Sequence, residues 1–192
     1  MTEDSTTEAF FEAKYLEAPD PWNFATSPYE RSRYAAILSF LKPRRFARAF
    51  EPGCSVGVLT ASLARICSQV EAMDISPTAV REASERCRHQ RNVTVRQGAL
   101  PDAMPGGFFD LIIFSEIGYY FEPGTLSQLA ILLTSRLVAG SGVLLGAHWL
   151  GRSDDHRISG DQVHEILGAT AGLALSAAER FEGFRIGRWT RA

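Results

Sequence analysis

Glu51, Gly53, Ser55 and Gly57 lie in one short stretch, "FEPGCSVGVLT" at residues 50–60. Gly53 suits a tight turn out of a strand, and Gly57 lets the following helix pack close to that strand. A dinucleotide loop needs one more glycine, where a pyrophosphate meets bare backbone at the helix start. Here Ser55 and Val56 carry side chains that crowd such an approach, and the Glu51 carboxylate would repel phosphate. Asp74 ends the next strand, where an acid can accept two hydrogen bonds from a ribose diol. The ligand implied has a ribose, no phosphate and a positive group near Glu51. S-adenosylmethionine, with an ammonium and a sulfonium, has these features. Cys54, inside the loop, is a candidate contact or a small apolar filler, as is Cys67 in the core.

A second group is suited to acid–base and cation chemistry. Ser115 and Glu116 end a fourth strand, and His148 ends a fifth beside Trp149. At those ends they should face the cofactor's methyl group. Tyr119 and Tyr120 either cover the sheet or offer aromatic faces to a cation. A carboxylate here would draw in a cationic amine, and Glu116 or His148 could take the proton it loses. His164, in mid-helix, reads as packing or surface, and Asp110, at the far end of its strand, as structural.

The elements that would position these residues follow from periodicity. Strands are expected at 47–52, 69–76, 92–100, 108–117 and 142–149, with two more around a Glu182-Gly183 turn. Helices fall between them: one after Gly57 with Leu59, Leu63 and Ile66 inward, one capped by Ser76-Pro77 with Val80, Ala83 and Cys87 inward, one from Pro123, and one over 160–171. Residues 5–18 and 29–41 are helical in character and flank an aromatic, proline-rich "APDPWNFATSP". The pattern predicts an α/β fold: a Rossmann-like, doubly wound, mainly parallel seven-stranded sheet with a C-terminal antiparallel hairpin and an N-terminal helical lid. One domain over 1–192 is expected, with a lid at 1–42 and a core at 43–192. Trp22, Phe24 and Tyr29 would be lid packing over the cofactor or plain core, and Arg31 could pair with its carboxylate.

Composition narrows the partners. With 192 residues, a 45% hydrophobic share and a net charge of −2, the chain suits a globular domain without the basic face nucleic acid requires. Its three cysteines form no C-x-x-C pair, so neither a disulfide framework nor a metal site is expected. No apolar run approaches the ~20 residues of a membrane span, and "MTEDSTTEAF" is unlike a secretory leader. A cytoplasmic monomer or homodimer acting on a small molecule is the expectation.

Four stretches carry a resemblance. "DPWNFATSPYERSRYAAIL" (20–38), "FEPGCSVGVLTASLA" (50–64), "FDLIIFSEIGYYF" (109–121) and "GAHWLG…SGDQVHEIL" (146–167) together resemble the NodS-like S-adenosylmethionine-dependent methyltransferases. The family's namesake N-methylates a deacetylated chitooligosaccharide. The resemblance implies methyl transfer to an amine such as an amino sugar. It also implies cofactor contacts at Ile75, beside Asp74, and at Gly98, Ala99 and Leu100, whose backbone would hold adenine. O-methylation on the same fold, a non-catalytic cofactor-binding module and, more weakly, a nicotinamide oxidoreductase are the alternatives.

Overall fold

The computed structural model describes residues 7–192. It comprises two compact units, Met1–Ala103 and Met104–Ala192. The helical reading of residues 5 and 6 lies outside the described residues.

The first unit runs α1 (Glu8–Glu17), α2 (Pro28–Leu41), β1 (Phe46–Pro52), α3 (Val58–Leu63), β2 (Cys67–Asp74), α4 (Pro77–Cys87) and β3 (Val93–Gln97). β2 pairs in parallel with β1 on one side and β3 on the other, placing Glu51 opposite Ala72 and Asp74 opposite Gln97. The three strands therefore end together, and their loops open from one edge. Phe46, Phe50, Val70 and Met73 are buried, as expected for strands covered on both faces. Ser76 caps α4 by accepting the Ala79 N–H at 3.0 Å, with Pro77 at the first helical position. Ala79, Ala83 and Cys87 form the buried face of α4, while Val80 is half-buried.

Helix α3 is shorter than its leucine spacing predicts. It ends at Leu63. Ile66 lies beyond it, turning its N–H back to the Leu63 carbonyl (2.9 Å) and accepting the Phe46 N–H (2.9 Å). The pull of the β1–β2 ladder starts β2 at Cys67, two residues before the expected 69.

The second unit runs β4 (Leu111–Ser115), a 3-10 turn (Gly118–Tyr120), α5 (Pro123–Ser135), β5 (Val143–Trp149), α6 (Gly160–Ala169), β6 (Leu173–Arg180) and β7 (Phe184–Arg191). β4 and β5 are parallel; β7 runs antiparallel to both β5 and β6, giving the order β4-β5-β7-β6. The hairpin turns at Gly183, whose φ of 89° suits glycine. All seven expected strands form. β4 is shorter than the 108–117 expected. Phe108 is 61% exposed and Phe109 bridges to Leu137 instead, while Glu116 adopts φ 60° at the other end and leaves the strand.

Candidate functional site

The loop after β1 alternates in handedness. Gly53 (φ 70°), Ser55 (φ 49°) and Gly57 (φ 76°) are all left-handed. Ser55 thus holds the backbone shape a middle glycine would take, at a cost that surrounding contacts must offset. Two such contacts are in place. The Ser55 N–H donates to Asp74 Oδ2 at 2.8 Å, and the Tyr15 hydroxyl donates to Ser55 Oγ at 2.6 Å. Gly57 is sterically required, because a Cβ there would lie 2.9 Å from the Cα and Cβ of Ala83. Val56 does not crowd the loop as expected; it turns into a buried cluster with Tyr15 and Ala79, against which Trp22 and Phe24 pack. The Cys54 side chain is buried with Ala72 and Ala83, so only its backbone remains for a ligand. Burial pushes its thiol well up.

Two carboxylates flank the loop. Asp74 is buried and accepts N–H groups from Ser55 and, at 3.0 Å, from Ser76. Burial pushes it up to about 6, against the pull of those N–H bonds. A carboxylate offers about four acceptor directions, so capacity remains for further donors. Glu51 is 4% exposed, and its Oε2 accepts the Thr60 hydroxyl at 2.6 Å. Burial, with a smaller contribution from the Asp74 charge, pushes it up to about 8. Among the described residues this buried carboxylate is served by one hydroxyl and no cation, a costly arrangement. It is the donor set that a ligand ammonium would complete.

Helix α2 brings two arginines to this unit, one exposed and one buried. Arg31 is exposed and donates to the Thr26 carbonyl at 2.7 Å. Arg33 is 1% exposed, ion-paired with Glu30, and lies against the rings of Phe24, Tyr29 and Tyr34. Glu30, Arg33, Ile37 and Leu41 are the buried face of α2. That helical spacing was the signal that could have selected Arg33. Trp22 stacks on Phe24 (centroids 5.7 Å, 24°) and meets Tyr15 edge-on (5.4 Å, 70°). Beyond β2, the Ile75 carbonyl accepts from Gln97 (3.2 Å), and the Gly98 N–H donates to the Asp74 carbonyl (2.9 Å). Ala99 and Leu100 follow, half-buried.

The second unit gathers the other candidates. Glu116, left-handed and half-buried, accepts the Trp149 N–H on Oε1 (2.7 Å) and the Tyr119 hydroxyl on Oε2 (2.9 Å). Ser115 pairs with Ala147 in the ladder just before it. Tyr119 and Tyr120 are buried and meet edge to face at 5.0 Å. Burial pushes the Tyr120 phenol up.

His148 is fully buried, and its Nε2 accepts the Gly118 N–H at 3.2 Å. That bond places the ring proton on Nδ1, which faces His164 Nε2 at 3.2 Å. The lone pair a base would need is therefore already engaged by a backbone amide. His148 shapes the Gly118 turn; to take a proton from a substrate, its Nε2 would have to give up that bond. His164 is also buried, and burial holds it down at about 3. A residue not foreseen joins the cluster: the ring of His156 stacks on Tyr119. A single histidine in the polar loop "LGRSDDHRIS" (150–159) carries no periodic signal.

Comparison with known proteins follows the same lines. Residues 5–173 match the family described as Nodulation protein S (NodS). The chain belongs to the NodS family. Nodulation protein S of Rhizobium tropici is 29% identical over 131 residues, covering 68% of this chain and 55% of that protein. The chain thus spans little more than half the length of that NodS relative. A solved candidate methyltransferase from Pseudomonas syringae is 32% identical with a TM-score of 0.74, covering 85% of this chain and 99% of that one. The N-methyltransferase NodS from Bradyrhizobium japonicum WM9, solved with S-adenosyl-L-homocysteine, gives a TM-score of 0.82 at 22% identity, over 94% of this chain and 96% of that one. This NodS-family chain therefore has the class I methyltransferase fold. Among the described residues no group of three or more His, Cys, Asp or Glu could hold a metal ion, and no helix is long and apolar enough to cross a membrane.

Proposed function

We propose that the chain is an S-adenosylmethionine-dependent methyltransferase that N-methylates a small-molecule amine, such as a deacetylated amino sugar or oligosaccharide. The observation that carries this reading is Glu51: a buried carboxylate with a hydroxyl partner and, among the described residues, no cation, next to a left-handed loop held by Asp74. Glu51 would take the cofactor's ammonium, Asp74 its ribose hydroxyls, the 53–57 backbone its amino-acid portion, and Arg33 its carboxylate. Ile75 and the 98–100 backbone would hold the adenine. When bound, the cofactor supplies a methyl group already activated on a sulfonium.

What remains for the protein is to orient an amine and free its lone pair. Orientation is worth roughly 7–11 kcal/mol, against about 3–5 kcal/mol for general base catalysis at 10²–10⁴-fold. Glu116 would hold the cationic amine, and the buried rings of Tyr119 and Tyr120 exclude water from it. A lysine-like amine has a pKa of about 10.4 in water, which desolvation lowers. The segment 15–34 would act as a lid, since Tyr15 and Trp22 already rest on the cofactor loop. Assay of amino sugars, simple amines and hydroxyl compounds tests the reading, with hydrogen exchange of residues 15–34 followed in parallel. Methylated amines and slower exchange on adding S-adenosylhomocysteine are expected. Methylation of hydroxyl compounds alone would reject the amine.

A further inference from the structure

His156 lies in the loop that joins β5 to α6. That loop is folded back by backbone bonds, with the Arg157 and Ile158 N–H groups donating to the Tyr119 carbonyl at 2.8 and 3.4 Å. The imidazole consequently stacks on the Tyr119 ring, centroids 3.7 Å apart and planes 19° from parallel. Tyr120 and Trp149 meet it edge-on at 5.3 and 6.0 Å. Three aromatic neighbours fix the plane of the ring. The Tyr119 ring beneath it is in turn tied to Glu116 through its hydroxyl.

The ring is fixed by its faces, with its side chain only 9% exposed. The nearest carboxylate oxygen, Asp155 Oδ1, is 3.9 Å from Nε2, beyond hydrogen-bond reach. Asp155 is itself held by the Ser153 hydroxyl. Among the described residues neither His156 nitrogen makes a hydrogen bond. This separates His156 from His148, whose lone pair serves the Gly118 amide, and from His164, which is buried behind it.

We propose that His156 is the proton acceptor for the amine substrate, with the Asp155 carboxylate beside it to stabilise the imidazolium. The inference rests on the methyltransferase reading above. The substrate ammonium gives one proton to an imidazole nitrogen that holds no hydrogen bond among the described residues. An amine with a free lone pair and an imidazolium next to Asp155 result, and the proton then passes to water. Burial holds the His156 pKa below its ordinary value, while the Asp155 and Glu116 carboxylates oppose that effect. The other ionisable groups around it are the Tyr119 and Tyr120 phenols and Arg157, which pairs with Glu122 at 3.7 Å. The ring accordingly favours its neutral form, the form in which an imidazole can accept a proton.

The test uses the full chain and three variants. His156→Phe keeps the stack and removes the nitrogens. His156→Gln keeps a polar side chain, and Asp155→Asn keeps the imidazole and removes its carboxylate. Imidazole NMR of the wild type, without any cofactor, should show His156 titrating with a midpoint below about 6.5, and Asp155→Asn should lower that midpoint further. With S-adenosylmethionine and an amino sugar, His156→Phe and His156→Gln should slow turnover by about 10²-fold or more. Both should lose the acidic limb of the kcat/KM profile that follows the imidazole titration, while binding S-adenosylhomocysteine as the wild type does. Wild-type turnover and an unchanged pH profile in both His156 variants would overturn the inference and leave the methyltransferase reading standing. So would a His156 midpoint that Asp155→Asn leaves unmoved. Absence of S-adenosylhomocysteine binding by the wild type would instead overturn the methyltransferase reading, and this inference with it.

Discussion

The 53–57 loop and the cluster around Tyr119 solve the same problem, holding polar groups in place, in opposite ways. In the loop, side chains fix backbone: Asp74 and Tyr15 clamp Ser55 in a left-handed conformation. Around Tyr119, backbone fixes side chains: the Gly118 amide sets the His148 tautomer, the Trp149 amide holds Glu116, and two amides from the 150–159 loop bring His156 onto Tyr119. A clamped backbone presents N–H and C=O groups that every bound cofactor molecule shares. A clamped set of side chains presents specific chemistry, and its identity can change with the acceptor. The comparison predicts that damage to the loop is seen first in folding and cofactor binding, and damage to the cluster in turnover.

The sharpest test substitutes glycine in each region. Gly57→Ala puts a Cβ 2.9 Å from Ala83 at a left-handed φ, and should cost about 2–4 kcal/mol by urea denaturation, with loss of S-adenosylhomocysteine binding. Gly118→Ala puts a Cβ 2.8 Å from His148 Nε2, and should leave that binding measurable while abolishing methyl transfer. If both variants lost only turnover, the division between the regions would break.

The pH dependence of stability separates the regions next. Glu51 rises from 4.5 to about 8 on folding, and Asp74 from 3.8 to about 6. Over those windows the folded chain keeps protons the unfolded chain has released, so stability falls as pH rises from about 4 to about 8, then levels off. Urea midpoints across this range should show the decline, and Glu51→Gln should flatten its upper part. S-adenosylhomocysteine affinity should rise over the same window as Glu51 loses its proton. Glu116→Gln should slow turnover by about 10²-fold or less if Glu116 only moves a proton, and raise the acceptor KM if it holds the amine. The smallest effect is expected from Tyr15→Phe, which removes one hydroxyl bond to Ser55 and should cost about 1 kcal/mol. The measurement is the urea midpoint, with faster exchange of α1 amides alongside.

The two regions also differed in how far the sequence disclosed them. Glu51, Gly53, Gly57 and Asp74 sit at strand ends, and strand periodicity places those ends together, so spacing alone located the loop. The sequence could not show that Ser55 adopts a glycine-like φ, because the Tyr15 hydroxyl that supports it arrives from a distant helix. Arg33 was not singled out in the sequence, although it falls on the buried face of α2 with Glu30, Ile37 and Leu41. Around Tyr119 the partners come from β4, the 3-10 turn, β5, the loop after it and α6. Pairings that distant leave no local pattern. Glu116 and His148 were legible as strand-end residues, but the bond that the Gly118 amide makes to His148, and the stacking that brings in His156, depend on packing.

Calorimetry with S-adenosylhomocysteine and with NAD, on the wild type and on Asp74→Ala, tests the central claim most directly. The account predicts micromolar or tighter binding of S-adenosylhomocysteine and weaker binding of NAD. Loss of charge-assisted bonds worth roughly 1.5–3 kcal/mol each should weaken S-adenosylhomocysteine binding about tenfold or more in a folded Asp74→Ala chain. Tighter binding of NAD, or unchanged S-adenosylhomocysteine affinity in the folded variant, would contradict it.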